Sequence, residues 1–179
     1  FDDPSYFEDD FEEKVTMKTV FKQTKLNLSD LAYFTSFFEG IDRVVTLSGK
    51  FNGTVANFKT TNLKLKIDKN TQFYGDLAMK GLPYTENTTF DALIKRLTTT
   101  GKEIENIDIP PFEKKQKITL PKEAMEVGSV VISGTMKGKF NDFLSNLDIE
   151  TAQGNTKLDT RYWEEKNNTH LKGKIIAQK

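Results

Sequence analysis

The chain has no cysteine, one histidine and one tryptophan among 179 residues, and its 26 basic and 26 acidic side chains cancel. Without cysteine there is no disulfide, thiolate nucleophile, zinc knuckle or iron–sulfur ligation, and nothing ties the chain to an oxidising or a reducing compartment. Zero formal charge removes the global electrostatic case for nucleic acid or an anionic bilayer surface. No apolar run approaches the roughly 18 residues of a membrane-spanning helix, and no charged-then-apolar segment opens the sequence. The chain begins at Phe1 rather than Met, so it reads as a mature form or as a piece of something longer.

What is present is β-type. Hydrophobic residues are only 36% and the mean hydropathy is −0.54, yet there are 14 phenylalanines and 21 threonines, a composition suited to half-buried strands rather than to disorder. Residues 1–14 form an acidic leader, with seven acids and no base in the first thirteen. The leader lacks the alternating acids and glycine of a calcium loop and reads as a solvated face. From Glu13 to Lys25 the pattern alternates, with Val15, Met17, Thr19 and Phe21 on one side. Leu28 to Arg43 is the best helix candidate, a short aromatic helix over 29–40. Ser29 stands where an N-cap belongs, Leu31, Phe34, Phe38 and Ile41 recur at helical spacing, and Gly40 closes it. Its aromatics, Tyr33, Phe34, Phe37 and Phe38, suit a plug at the end of a β core better than a partner surface.

Strand patterns follow almost without interruption. Leu47 and Phe51 share a parity; Leu63, Leu65 and Ile67 oppose Lys64 and Lys66; Phe73, Leu77 and Met79 continue across Gly75; Phe90, Ala92 and Ile94 begin another run. Pro110-Pro111 marks a boundary, and Pro121 to Gly128 reads as a helical turn or two. Val130 to Met136, Ser145 to Thr151, Thr156 to Tyr162 and Thr169 to Ala177 complete the pattern.

An internal repeat is present. Residues 47–58 align with 132–143 at an offset of 85, four of twelve positions being identical, and the register persists at Asn70-Thr71 against Asn155-Thr156. This divides the chain into a first β unit, 15–110, and a second, 111–179. Within the repeated phrase Gly49 and Gly53 share the parity of Leu47 and Phe51, so the glycines fall on the apolar side. There they either bend the strand or leave room for something bulky. With so few covering helices, the apolar faces must meet each other as in a sandwich or line a trough around an apolar ligand.

Enzymatic readings find little support. His170 has no second histidine or cysteine to complete a zinc site and no nucleophile beside it. Glu164-Glu165 and Asp9-Asp10 are carboxylate neighbours, but adjacent strand residues point to opposite faces, unlike a glycosidase pair. The glycines are spaced through strands rather than gathered into a phosphate loop. Trp163 reads as a strand-end residue packed on the sheet, with a sugar platform as the other reading. No cofactor or metal is expected.

The phrases Asp30-Leu31-Ala32-Tyr33-Phe34, Leu47-Ser48-Gly49-x-x-x-Gly53-Thr54-Val55-x-Asn57 and Asn70-Thr71-x-Phe73-x-Gly75-x-Leu77-x-x-x-Gly81-Leu82-Pro83, with the second copy Gly134-x-x-x-Gly138-x-x-x-Asp142-Phe143, resemble the periplasmic repeat region of TamB-like proteins of the AsmA superfamily. The likeness runs from about Val15 to the end. It implies a mostly β fold in which two repeated antiparallel units form an elongated curled sheet or trough. It also implies a non-enzymatic, periplasmic piece of an inner-membrane-anchored protein that binds phospholipid acyl chains and supports phospholipid transport to the outer membrane. Outer-membrane protein assembly with an Omp85-type barrel partner would fall to parts beyond this sequence, as would the anchor. The implied lipid groove consists of Leu47, Phe51, Leu63, Leu65, Ile67, Phe73, Leu77 and Met79, and of Ile132, Met136, Leu147, Ile149 and Leu158 in the second unit. The rival expectation is a closed β-sandwich acting as an adhesin-like or carbohydrate-binding module around Trp163.

Overall fold

A computed structural model describes residues 11–67, 69–110, 112, 116–117, 120, 122–166 and 168–178. Its strands are β1 (Met17–Asn27), β2 (Val44–Gly53), β3 (Asn57–Lys66), β4 (Gln72–Lys80), β5 (Thr89–Thr100), β6 (Asp108–Ile109), β7 (Gln116–Lys117), β8 (Ser129–Lys139), β9 (Asp142–Thr151), β10 (Gly154–Glu165) and β11 (Asn168–Gln178). Nine of them form one open antiparallel sheet in the order β1-β2-β3-β4-β5-β8-β9-β10-β11, and β6 and β7 pair separately. The protein is therefore mostly β, as the alternation predicts. Short connections, down to two residues at 140–141 and 152–153, keep strands that follow one another in the chain side by side in the sheet.

Two connections are long. Residues 28–43 join β1 to β2, and residues 101–128 join β5 to β8. Each leaves and re-enters at the same end of the sheet, and each crosses one face on the way. Phe37 from the first packs on Met79 and Leu82, with Phe38, Phe58, Leu77, Phe90, Phe112 and Phe140 around them. The two crossings also touch each other. The Phe37 and Phe112 rings are 5.2 Å apart, and the Arg43 guanidinium donates to the Asn106 carbonyl at 2.7 Å and pairs with Asp108 at 3.1 Å. The main packing partner of the sheet is thus connecting chain rather than a second full sheet.

The helix expected over 29–40 is replaced by two short 3₁₀ turns, Leu28–Tyr33 and Ser36–Phe38. The reason lies in competing side chains. Asn27, not Ser29, caps the first turn by accepting from the Ser29 amide, and Thr35, in extended conformation, accepts from the Phe37 amide and starts the second. Such local hydrogen bonds divert the backbone from a continuous helix. Gly40 does take the positive φ expected of it, 85°. Only part of the aromatic set plugs the core: Phe37 is buried, whereas Tyr33 is 89% and Phe34 54% exposed. Of the acidic leader, residues 1–10 lie outside the described residues and Phe11–Lys14 form one helical turn. Pro111 and Pro121 also lie outside them, and Lys122–Met125 is a helical turn. The division at 110–111 falls inside the second crossing, while the sheet passes without interruption from β5 to β8.

One pairing pattern occurs twice. In β1 against β2, Met17 faces Gly53 and Phe21 faces Gly49, and the register slips between Phe21 and Thr24. In β5 against β8, Phe90 faces Gly138 and Ile94 faces Gly134, with a slip between Ile94 and Leu97. A third slip in β3, between Thr60 and Leu63, sits opposite Gly75. Bulges on β1, β3 and β5 therefore alternate with glycines on β2, β4 and β8 along one line across the sheet. Each bulge adds local twist and bends its strand. At Gly49 (φ 142°) a Cβ would lie 2.9 Å from the Leu63 Cα, and at Gly134 (φ 132°) 2.9 Å from the Leu147 Cα. Beyond bending the strand or leaving room for a bulky neighbour, these glycines thus permit close approach of the next strand's backbone.

Candidate functional site

Directly opposed residues of an antiparallel ladder project to the same side, so the registers carry one face across all nine strands. Five rows result. The first contains Met17, Gly53, Phe58, Met79, Phe90, Gly138, Phe143, Tyr162 and Leu171. The second runs through Phe51, Thr60, Leu77, Ala92, Met136, Ser145 and Thr160, and the third through Phe21, Gly49, Leu63, Gly75, Ile94, Gly134, Leu147, Leu158 and Ile175. Leu47, Leu65, Phe73, Leu97, Ile132 and Ile149 make the fourth, and Val45, Thr71, Thr99 and Val130 lie in the fifth.

All of the groove positions expected from sequence fall on this face: Leu47, Phe51, Leu63, Leu65, Phe73, Leu77, Met79, Ile132, Met136, Leu147, Ile149 and Leu158 within strands, and Ile67 at the same parity just past β3. Met79 is buried and the others are half-buried. The same face also carries Phe58, Leu97, Phe143 and Tyr162, which the sequence reading did not include, and Phe90, Ala92 and Ile94, whose alternation it noted without assigning them a site. Their rings form a file near one end of the strands. Phe90 lies 5.6 Å from Phe140 and 5.9 Å from Phe143, which stacks on Tyr162 at 4.9 Å.

The face is not purely apolar. Thr60, Thr71, Thr99, Ser145 and Thr160 are buried on it, and their hydroxyls are satisfied locally. Ser145 and Thr160 share a 2.7 Å hydrogen bond, Thr71 and Thr99 one of 2.8 Å, and Thr60 accepts from the Leu77 amide at 3.0 Å. Glu103, just beyond β5, accepts from Thr71 and from the amide and side chain of Asn70. Burial pushes the Glu103 carboxyl up, but these hydrogen bonds and nearby Lys69 hold it below its usual range.

Cover is uneven. Over β2 to β8 the two crossings lie on the face and Val45, Ile94 and Val130 are buried, whereas on β11 Leu171 is 62% and Ile175 59% exposed. On the other side of the sheet, behind Gly53, Phe58, Met79, Phe90 and Gly138, a cleft of about 610 Å³ is lined by Asn52, Lys59, Ala78, Asp91 and Lys137 and by Asn57, Lys80 and Thr89.

The opposite face is polar and knit by charges. Asp91 pairs with the directly opposed Lys137 at 3.2 Å, and Asp148 with Lys157 at 3.0 Å. The Asn62 amide, set by its bulge, donates to Asp76 at 2.6 Å, and Lys95 pairs with Asp76 at 3.1 Å. The Asn62 amide, followed by Lys95, keeps the Asp76 carboxyl below its usual range despite burial. Trp163 stacks on His170 at 4.9 Å with the Arg161 guanidinium 5.3 Å from its ring, so both residues pack within the sheet. Among the described residues no cluster of three His, Asp or Glu side chains could hold a metal ion, and no helix is long and apolar enough to cross a membrane.

No family model, curated protein or solved structure matches this chain.

Proposed function

We propose that the chain is a non-enzymatic, acyl-chain-binding segment of a periplasmic lipid bridge of the TamB and AsmA type, in which the nine-stranded sheet curls into a trough. The observation that carries this reading is the single apolar face, which the ladder registers extend across every strand. At about 4.8 Å per strand, eight steps span about 38 Å, longer than one phospholipid acyl chain. The row through Leu47, Leu65, Phe73, Leu97, Ile132 and Ile149 gives a sequence of apolar contacts, aliphatic but for Phe73, and each buried methylene contributes about 0.8 kcal/mol. A chain can therefore slide between equivalent positions with little change in free energy. The line of bulges and glycines supports curling. Transport toward the outer membrane and assembly with an Omp85-type barrel belong, on this reading, to a longer protein anchored in the inner membrane.

The test is native mass spectrometry with lipid extraction on protein purified from bacteria without detergent. Phospholipid should co-purify and be lost in Leu65→Asp and Ile149→Asp, with circular dichroism showing that both variants keep the β signal of the parent. Variants that fold normally and still carry lipid would exclude this face. A bare parent that also takes up no added fluorescent phospholipid would mean that the crossings seal it.

A further inference from the structure

We infer that the free edge of β11 is a docking edge for an extended Gly-x-x-x-Gly strand like β2 and β8, supplied by a further unit of the same pattern. The argument starts from the pairing that occurs twice. Met17 and Phe21 cover Gly53 and Gly49, and Phe90 and Ile94 cover Gly138 and Gly134. In both, two large apolar residues four apart sit over two glycines four apart, each side chain filling the face where its neighbour has none. β11 holds the third such pair. Tyr162 faces Leu171 as Met79 faces Phe90, and Leu158 faces Ile175 as Gly75 faces Ile94. Leu171 and Ile175 thus occupy the places of Phe90 and Ile94, but are 62% and 59% exposed.

The edge itself is open to pairing. Every described side chain of β11 except His170 is exposed, and its eleven pairs with β10 run without a slip. Natural sheets blunt such an edge with lysine, proline or a bulge; β11 has Lys172 and Lys174 but no bulge or proline, whereas β1 at the far edge carries a bulge. A second folded copy does not supply the required strand. Its β2 and β8 are paired on both sides, and its own edge strands lack the two glycines.

Charge narrows the partner further. Lys172 stands where Asp91 stands in β5, opposite the residue just before the second glycine. In the observed pair that residue is Lys137, bound to Asp91. The strand taken by β11 should therefore carry an acid there. The predicted register sets Leu171 against the second glycine, Ile175 against the first, and Lys174 against the residue between Gly134 and Met136 in β8 numbering, Thr135.

The probe is a fluorescein-labelled peptide with the sequence of residues 128–140 carrying Lys137→Asp, titrated against the whole chain by anisotropy. Saturable binding is expected, weakened about tenfold or more by Leu171→Ser with Ile175→Ser, two exposed changes that leave the fold intact. Because the chain has no cysteine, register is read by disulfide trapping between Lys174→Cys and peptides bearing cysteine at 131, 133, 135 or 139. Trapping should favour 135. Absence of binding, or equal trapping at all four positions, overturns the inference. So does a dimer of the chain alone in sedimentation that Ile175→Lys dissolves, since a second copy would then hold the edge. The readout uses no lipid, so its failure and the failure of the acyl-chain reading are separate.

Discussion

Replacing Gly134 by alanine tests the bend directly. At φ 132° the new Cβ would lie 2.9 Å from the Leu147 Cα and collide with the Asn146 carbonyl oxygen. Neither obstacle is a side chain that can swing aside. An alanine must either keep this conformation, at about 1–3 kcal/mol of backbone strain, or turn to negative φ and weaken one or two ladder bonds to β9, at about 0.5–1.5 kcal/mol each. The smaller unfolded-state entropy of alanine offsets about 0.4–1 kcal/mol. The net loss is about 1.3 kcal/mol at the middle of these ranges and at most about 2.6 kcal/mol, the middle value being about 3–5 °C in Tm for a domain of this size. Gly128→Ala is the control, since nothing lies within 4 Å of its Cβ and its φ is ordinary; it should be neutral or slightly stabilising. Thermal and urea unfolding followed by circular dichroism would measure both. If Gly134→Ala unfolds with the parent while Gly128→Ala does too, the close approach of β8 and β9 is not what glycine is needed for. Gly49→Ala, facing Leu63 at the same 2.9 Å, should then be equally harmless.

Two further perturbations address the buried polar groups. Thr160→Val takes away the 2.7 Å partner of the Ser145 hydroxyl and leaves it the Thr160 carbonyl at 3.5 Å, which should cost about 0.5–1.5 kcal/mol, whereas Ser145→Ala with Thr160→Val should recover most of it; a double-mutant cycle with no coupling would refute the pairing. Glu103 has a folded pKa below its ordinary 4.5, so the unfolded state takes up protons first as pH falls, and its stabilisation, present above 4.5, is lost as pH drops through the lowered value. Glu103→Gln should therefore lower Tm at neutral pH, and the gap to the parent should close on acidification below that value; a gap constant with pH would show that the carboxylate is not what stabilises this corner.

Parity was sufficient to place every expected groove residue on one face, because an antiparallel ladder preserves side from strand to strand whatever the loops do. Ile94 and Leu97 show where parity failed. They are three apart yet share the face, since the bulge at 95–96 consumes one residue, and a strict alternation therefore passes over Leu97. The aromatic crossing was misread for a different reason. Leu31, Phe34, Phe38 and Ile41 have helical spacing, but Asn27 and Thr35 capture backbone amides on either side of a break, and spacing alone does not weigh that competition. The repeat at offset 85 matched letters in β2–β3 and β8–β9. The likeness of β1 to β5 is one of register rather than residue type, with Met17 and Phe21 standing for Phe90 and Ile94, so no alignment of the sequence with itself would display it.

That register bears on how a lipid chain and a docked strand would share the face. At each place where a β1-type strand meets a β2-type strand, one large residue lies beside a glycine: Phe21 by Gly49, then Ile94 by Gly134. In this row large residues and glycines alternate from Phe21 to Gly134, after which Leu147, Leu158 and Ile175 follow one another with no glycine between them. Ile175, beside Leu158, ends that run at the edge of the sheet. A glycine strand docked on β11 would cover the exposed pair without closing the path along it. A non-glycine strand would pair its backbone equally well but place a second large side chain against Ile175. The glycines of the docking strand thus matter less for its hydrogen bonds than for the room they leave beside Leu171 and Ile175.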